Sequence, residues 1–229
     1  MTNLELGKEK LFNTIDPWFQ QAKYTFYPQG SGQYRYEDTN WIYAILFNFS
    51  SSSDHHINST ILMHSKFVEP IITNNGIPSV NLESYATGEN ILFTIQDKEN
   101  LEVLKYKRDK IDLSHHENFV AWGKLIIEYM EGPCKDFITK YFELPTILQR
   151  INEIDKNGGA NYLELLTGGI DHLFRALIIS RLCNDPEYQK KQDRFDGHIL
   201  QSKYAKWHPY YESLKMKLLT TVPIYDWNI

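Results

Sequence analysis

Tyr24-Thr-Phe-Tyr-Pro-Gln-Gly-Ser-Gly-Gln-Tyr-Arg-Tyr36 sets the character of the first half of this chain. Two short aromatic runs, residues 24–27 and 33–36, flank residues 28–32, where Gly30 and Gly32 supply the unusual dihedrals of a turn, so the stretch predicts a β-hairpin. Trp41, Tyr43, Ile45, Phe47 and Phe49 then alternate with Ile42, Ala44, Leu46 and Asn48. Both faces of that run are mostly apolar, which predicts a central strand. Residues 50–56 form a polar loop and residues 57–64 return as a partner strand, completing a meander of four strands.

Working outward, residues 4–22 have helical character, with Leu4, Leu11, Ile15, Trp18 and Phe19 near one face and Asp16-Pro17 dividing the helix. The signal weakens over residues 65–112. Turns fall at Asn74-Asn75-Gly76 and Ile77-Pro78, and residues 90–95 are the best strand candidate. From Ser114 the hydrophobic period changes from two to about 3.6 residues, because Phe119, Trp122, Ile126 and Met130 share one stripe that stops at Gly132-Pro133. Ser114 with Glu117 three residues later has capping-box spacing. Further helices are expected over residues 134–142 and 146–155, ending at Asn157-Gly158-Gly159. Residues 170–182 are apolar nearly all round and should form the most buried helix. Pro186 and Pro209 open two more, the last carrying Leu214, Leu218 and Leu219. The tail, residues 222–229, either docks on its own core or waits for a partner. The expected fold is α+β: an N-terminal helix and an antiparallel, aromatic-rich sheet packed against a C-terminal helical half. It is read as a single domain, 1–229, with residues 1–112 mainly sheet and 113–229 mainly helix.

Composition narrows the function. Over 229 residues, 42% hydrophobic and 23% charged, the chain has ordinary globular usage and should bury a substantial core. A net charge of -5 without long runs of one sign leaves no electrostatic footprint for nucleic acid and mildly favours a basic partner. Nowhere do about eighteen apolar residues run together, which argues against a membrane span. Two cysteines, Cys134 and Cys183, suggest free thiols in a reducing, cytoplasmic setting, so the Asn-x-Ser/Thr matches at Asn48 and Asn58 are read as irrelevant. Aromatics reach 14%, with 15 tyrosines. Tyr-rich surfaces serve recognition as well as packing.

Several constellations invite a chemical reading. His55-His56 beside Asp54, and His115-His116 beside Glu117, use the residue types of zinc sites. Neighbouring helical residues diverge by about 100°, however, and no HExxH or CxxC spacing supports a metal. Asp171 and Arg175 have the i,i+4 spacing of an intrahelical ion pair, the preferred reading over an active-site clamp with His172. Cys134 follows Gly132-Pro133 near a helix start, a place that would lower a thiol pKa, although packing is the simpler role. Gly168-Gly169 suits either a helix boundary or an anion nest. No cofactor and no metal are expected. The aromatic hairpin remains: one face must pack on helices, so some of its rings should stay accessible to another protein. Tyr24, Phe26, Tyr27, Tyr34 and Tyr36, with Trp227 from the tail, form the candidate partner-binding set.

The layout of an aromatic meander over residues 41–49, a capped helix from Ser114, Glu131-Gly-Pro-Cys134 leading to Phe137 and Phe142, and Arg175-Ala-Leu-Ile ending at Asn184-Asp-Pro-Glu-Tyr188 resembles uncharacterised bacterial α+β proteins of the toxin-immunity type. The resemblance implies a cytoplasmic protein that neutralises a cognate toxin by binding it, with affinity from buried rings and on-rate from charge complementarity. Two alternatives stay open. One is a hydrolase or transferase gathering His115, His116, Asp171, His172 and Arg175; the other is a subunit of a larger assembly whose tail, residues 224–229, enters a neighbouring chain. The sequence leaves the oligomeric state open.

Overall fold

The computed structural model describes residues 2–28, 32–47, 49, 60–78, 80, 82–86, 90–158 and 161–226. In chain order the first elements are α1 (Asn3–Gln21), β1 (Thr25–Tyr27), β2 (Gln33–Glu37), β3 (Trp41–Leu46), β4 (Ile61–Ser65), α2 (Glu69–Asn75), α3 (Glu83–Ala86), β5 (Ile95–Gln96) and α4 (Lys98–Arg108). Helices follow: α5 (Phe119–Glu131), α6 (Pro133–Tyr141), α7 (Leu144–Lys156), α8 (Asp171–Leu182), α9 (Tyr188–Ile199) and α10 (His208–Thr220). The fold is α+β, with an N-terminal helix and an antiparallel sheet in the order β1-β2-β3-β4-β5. β3 is central, as its two apolar faces predict, and a short fifth strand extends the expected meander of four. Residues 90–95 contribute only their last member to it.

The chain divides into two compact units, Met1–Met63 with Gln96–Thr139 and His64–Ile95 with Lys140–Ile229. The division does not follow a boundary near residue 113, because each unit draws on both halves of the sequence.

In the first unit, Thr2 and Glu5 cap α1 reciprocally: the Thr2 amide donates to Glu5 Oε2 at 2.6 Å and the Glu5 amide to Thr2 Oγ1 at 3.2 Å. Gly7, Leu11, Ile15 and Phe19, spaced by four, form its buried stripe. Pro17 lies inside this helix and does not divide it. Proline forfeits one backbone hydrogen bond, but the fully buried Ile15 and Phe19 anchor the helix on either side of it. Asp16 does not cap a second helix; it accepts the Tyr34 hydroxyl. α1 and α5 approach closely where a side chain is missing. A Cβ on Gly7 would stand 2.6 Å from the Phe119 ring, and one on Gly123 2.9 Å from Thr14.

The register pairs Phe26 with Tyr34 and Tyr36 with Tyr43, and directly opposed residues share a face. Tyr34 stacks on Phe19 at 4.1 Å, so this face packs on α1. Tyr27 belongs to the opposite face, where the Arg35 guanidinium lies 4.4 Å over its ring.

The capping box expected at Ser114 does not form. The amide and hydroxyl of Ser114 both turn to Asp112, at 3.0 and 2.5 Å, while Glu117 reaches Lys10 at 2.9 Å. Ser114 thus gains two bonds to an ionised carboxylate and Glu117 a charged partner, in place of the reciprocal pair of a capping box, and α5 begins at Phe119 after a single 3-10 turn, His116–Asn118. Behind it, Tyr129 donates to Asp97 at 2.8 Å and accepts the Ile61 amide at 3.1 Å, while Asp97 caps α4 through Asn100.

In the second unit, α8 is buried at every position except Arg181, as its all-round apolarity predicts. Phe174 stacks with Tyr211 of α10 at 5.8 Å and meets Trp207 edge-on at 5.7 Å. Leu214 and Leu218 are buried, but Leu219, one position round the helix, is 67% exposed. As far as residue 226, the last described, the tail is held to its own unit. The amides of Ile224 and Tyr225 donate to the Leu182 carbonyl at 2.8 and 3.1 Å, satisfying an acceptor that the end of α8 leaves open.

Candidate functional site

Beyond the end of α1 the chain turns at Lys23, whose φ is +64°, and the Tyr24 amide then donates to the Phe19 carbonyl at 2.9 Å. This places the Tyr24 ring 5.2 Å from Phe19 and 5.7 Å from Tyr36. Across the sheet Tyr36 stacks on Tyr43 at 5.8 Å. Asp38 sets that pair: its Oδ1 accepts the amides of Asn40 and Trp41 at 2.8 Å each, closing the turn between β2 and β3, while its Oδ2 accepts the Tyr43 hydroxyl at 2.8 Å. From α1, Trp18 donates its indole N–H to Glu131 Oε1 at 2.9 Å.

Trp18, Tyr24, Tyr36 and Tyr43 line an open pocket of about 470 Å3, with Glu131 and Lys135 among its walls. That volume lies in the range of small-ligand sites. Burial pushes the Tyr24 and Tyr43 phenols well above their ordinary pKa, and at Tyr43 the hydrogen bond to Asp38 adds to the effect. Both hydroxyls therefore remain protonated donors at neutral pH. Ring faces carry a negative quadrupole, so an aromatic wall beside a carboxylate attracts a cation or a flat apolar group.

Of the sequence-derived set, Tyr24 and Tyr36 line this pocket. Phe26 and Tyr27 are exposed on opposite faces of the hairpin, at 43% and 36%. Tyr34 is 1% exposed and belongs to the core, because register and parity put it under Phe19; it presents nothing to a partner. Trp227 lies outside the described residues. Trp18, Tyr43 and Glu131 were missed. The first two read as packing residues in their stripes, and no local spacing connects Trp18 with Glu131.

The other candidates resolve into structural roles. Cys134, also in the pocket wall, is 1% exposed and its thiol is pushed up to about 12, by burial first and by Asp97 second. The lowered pKa expected near a helix start is overturned, since desolvation of a thiolate outweighs the helix-terminus effect. His115 faces Asp112 at 3.6 Å, and His116 Nδ1 lies 2.9 Å from Asn3 Oδ1, tying the start of α1 to the turn before α5. His55, His56 and Asp54, like Asn48 and Asn58, lie outside the described residues. Among the described residues no group of three or more His, Cys, Asp or Glu side chains is arranged to hold a metal.

Gly168-Gly169 carries its own anion. The Gly169 amide donates to Asp171 Oδ1 at 2.7 Å, and at Gly168, where φ is +104°, a Cβ would strike that carboxylate. Asp171 pairs with Arg175 as its spacing predicts, while His172 binds the Gly169 carbonyl. Arg175 also takes Glu69, a partner that nothing nearby in the sequence announces. No helix among the described residues is long and apolar enough to cross a membrane. No protein-family model, curated protein or solved structure matches this chain.

Proposed function

We propose that this chain is a protein-binding module of immunity type, which acts in the bacterial cytoplasm and neutralises a basic toxin by direct docking. The observation that carries the reading is the open pocket walled by Trp18, Tyr24, Tyr36 and Tyr43 beside Glu131. A lysine or arginine side chain of the toxin enters against the rings by cation–π attraction, and the second Glu131 oxygen accepts a charge-assisted hydrogen bond from it. The accessible Phe26, on the same face of the hairpin as Tyr36, widens the apolar contact, whereas Tyr27 faces the other way; the net charge of -5 steers a basic partner inward.

The test is co-purification with the toxin encoded beside this gene, followed by titration calorimetry with Tyr24→Ala, Tyr36→Ala and Glu131→Gln. Each substitution should weaken binding by about 2 kcal/mol, in the range of interface hot spots, and abolish protection of cells while the circular dichroism spectrum is retained. Unchanged affinity in all three variants would sink the reading.

A further inference from the structure

A second cavity lies wholly within the second unit, an indentation of about 510 Å3 bordered by α7, α9 and the turn before α9. Its polar groups are asymmetric in what they leave unused. Asp185 is saturated: Oδ2 accepts Ser180 and Lys191, and Oδ1 accepts the Glu187 amide at 3.0 Å. Asp155 accepts the Tyr162 hydroxyl and, at 2.6 Å, Arg194. Glu187 at the rim is paired with Lys190 at 2.9 Å. The acids of the cavity are thus neutralised from within.

The bases are not. Lys191 is 2% exposed, yet among the described residues its ammonium makes one hydrogen bond, to Asp185, while Asp155 attracts it as an ion-pair partner from 3.9 Å, beyond hydrogen-bond reach. An ammonium has three protons to give, and burying a cation with spare donors is costly. Lys156, exposed in the cavity wall, has no ion-pair partner among the described residues. One acceptor is also unfilled: Asn152 Oδ1 is buried without a hydrogen bond. Four bases stand against three acids around this cavity, and the surplus charge coincides with the unused donors.

We infer that this cavity binds a small hydroxylated oxyanion, its phosphate or carboxylate group received by Lys191, Lys156 and Arg194 and an adjacent hydroxyl donated to Asn152. Phosphate and carboxylate share this recognition chemistry, because both present clustered oxygens to charged N–H donors. The site is separate from the aromatic pocket, so each can fail without the other.

Titration calorimetry of the full chain with glycerol 3-phosphate, citrate and inorganic phosphate tests the assignment. Saturable binding of glycerol 3-phosphate or citrate is expected, tighter than that of inorganic phosphate, and a preference between the first two identifies the anion. Lys156→Ala should weaken binding about tenfold, as for one charge-assisted hydrogen bond. Asn152→Asp should weaken it further by repulsion. Lys156 is exposed, so Lys156→Ala should melt as the parent does and carries the test; Asn152→Asp, which places charge at a buried oxygen, and Lys191→Met, which removes a buried charge, are each read beside their own thermal melt. Absence of saturable binding, or binding that is unchanged in Lys156→Ala and Asn152→Asp, would overturn the inference.

Discussion

Arg175 grips Glu69 through two parallel hydrogen bonds of 2.8 Å, Nε to Oε1 and Nη2 to Oε2, across 106 residues of sequence. Both side chains are sealed from solvent, and Asp171 and the Thr167 carbonyl, the latter at 3.2 Å, share the same guanidinium. Coulombic attraction and hydrogen bonds from the two carboxylates outweigh desolvation and raise the Arg175 pKa, so the group stays charged throughout the working range. Removing one partner strands a buried charge. Arg175→Met should therefore destabilise the protein by about 3–5 kcal/mol in urea unfolding, far more than an exposed pair would. A loss under about 1 kcal/mol would contradict the arrangement.

The contact of α1 with α5 gives a prediction with an internal control. Gly7→Ala places a methyl against the Phe119 ring and Gly123→Ala one against Thr14, so each should cost about 1–3 kcal/mol. Gly197, inside α9, has nothing within 4 Å of where a Cβ would stand, and Gly197→Ala should stabilise by about 0.5–1 kcal/mol through helix propensity. Thermal melts of the three variants separate crowding from propensity.

His64 supplies a pH dependence. Its Nδ1 donates to the Leu92 carbonyl at 2.7 Å, and burial pulls its pKa below the ordinary 6.5; Lys66 and Arg175 act in the same direction, while the Leu92 bond and Glu69 oppose them. The unfolded chain then binds the proton more readily than the folded one. Stability is complete above pH 6.5 and declines as pH falls from there towards the folded pKa. His64→Gln should flatten that part of the stability profile, measured by denaturant midpoints between neutral and mildly acidic pH.

Both thiols should be silent in the native state. Cys134 and Cys183 are buried and pushed up to about 12, chiefly by burial. Ellman's reagent at mildly alkaline pH should react only after denaturant is added, because the thiolate is the nucleophile. Rapid labelling of the folded protein would refute this.

Much of the fold was legible because strand alternation and helical period are local properties. The aromatic runs foretold β1, β2 and β3, and the stripe from Phe119 to Met130 foretold α5. Local rules failed where a distant group offered more. Pro17 continues a helix because Ile15 and Phe19 are held by the core, and Ser114 abandons its expected cap because Asp112 and Lys10 provide charged partners for it and for Glu117. In the candidate pocket, Tyr24 and Tyr36 could be named in advance, whereas Tyr34, two residues from Tyr36, could not be recognised as core until its register under Phe19 was known.

By itself, then, the sequence determined an aromatic antiparallel sheet, a sealed α8 and the Asp171–Arg175 pair, since each follows from spacings of a few residues. Tertiary structure alone decided which polar groups meet: Glu69 with Arg175, Trp18 with Glu131, and Lys191 with Asp185 and Asp155. Hydrogen bonding and charge pairing act over a few ångströms in space and are indifferent to separation along the chain, so only the folded backbone settles those partners.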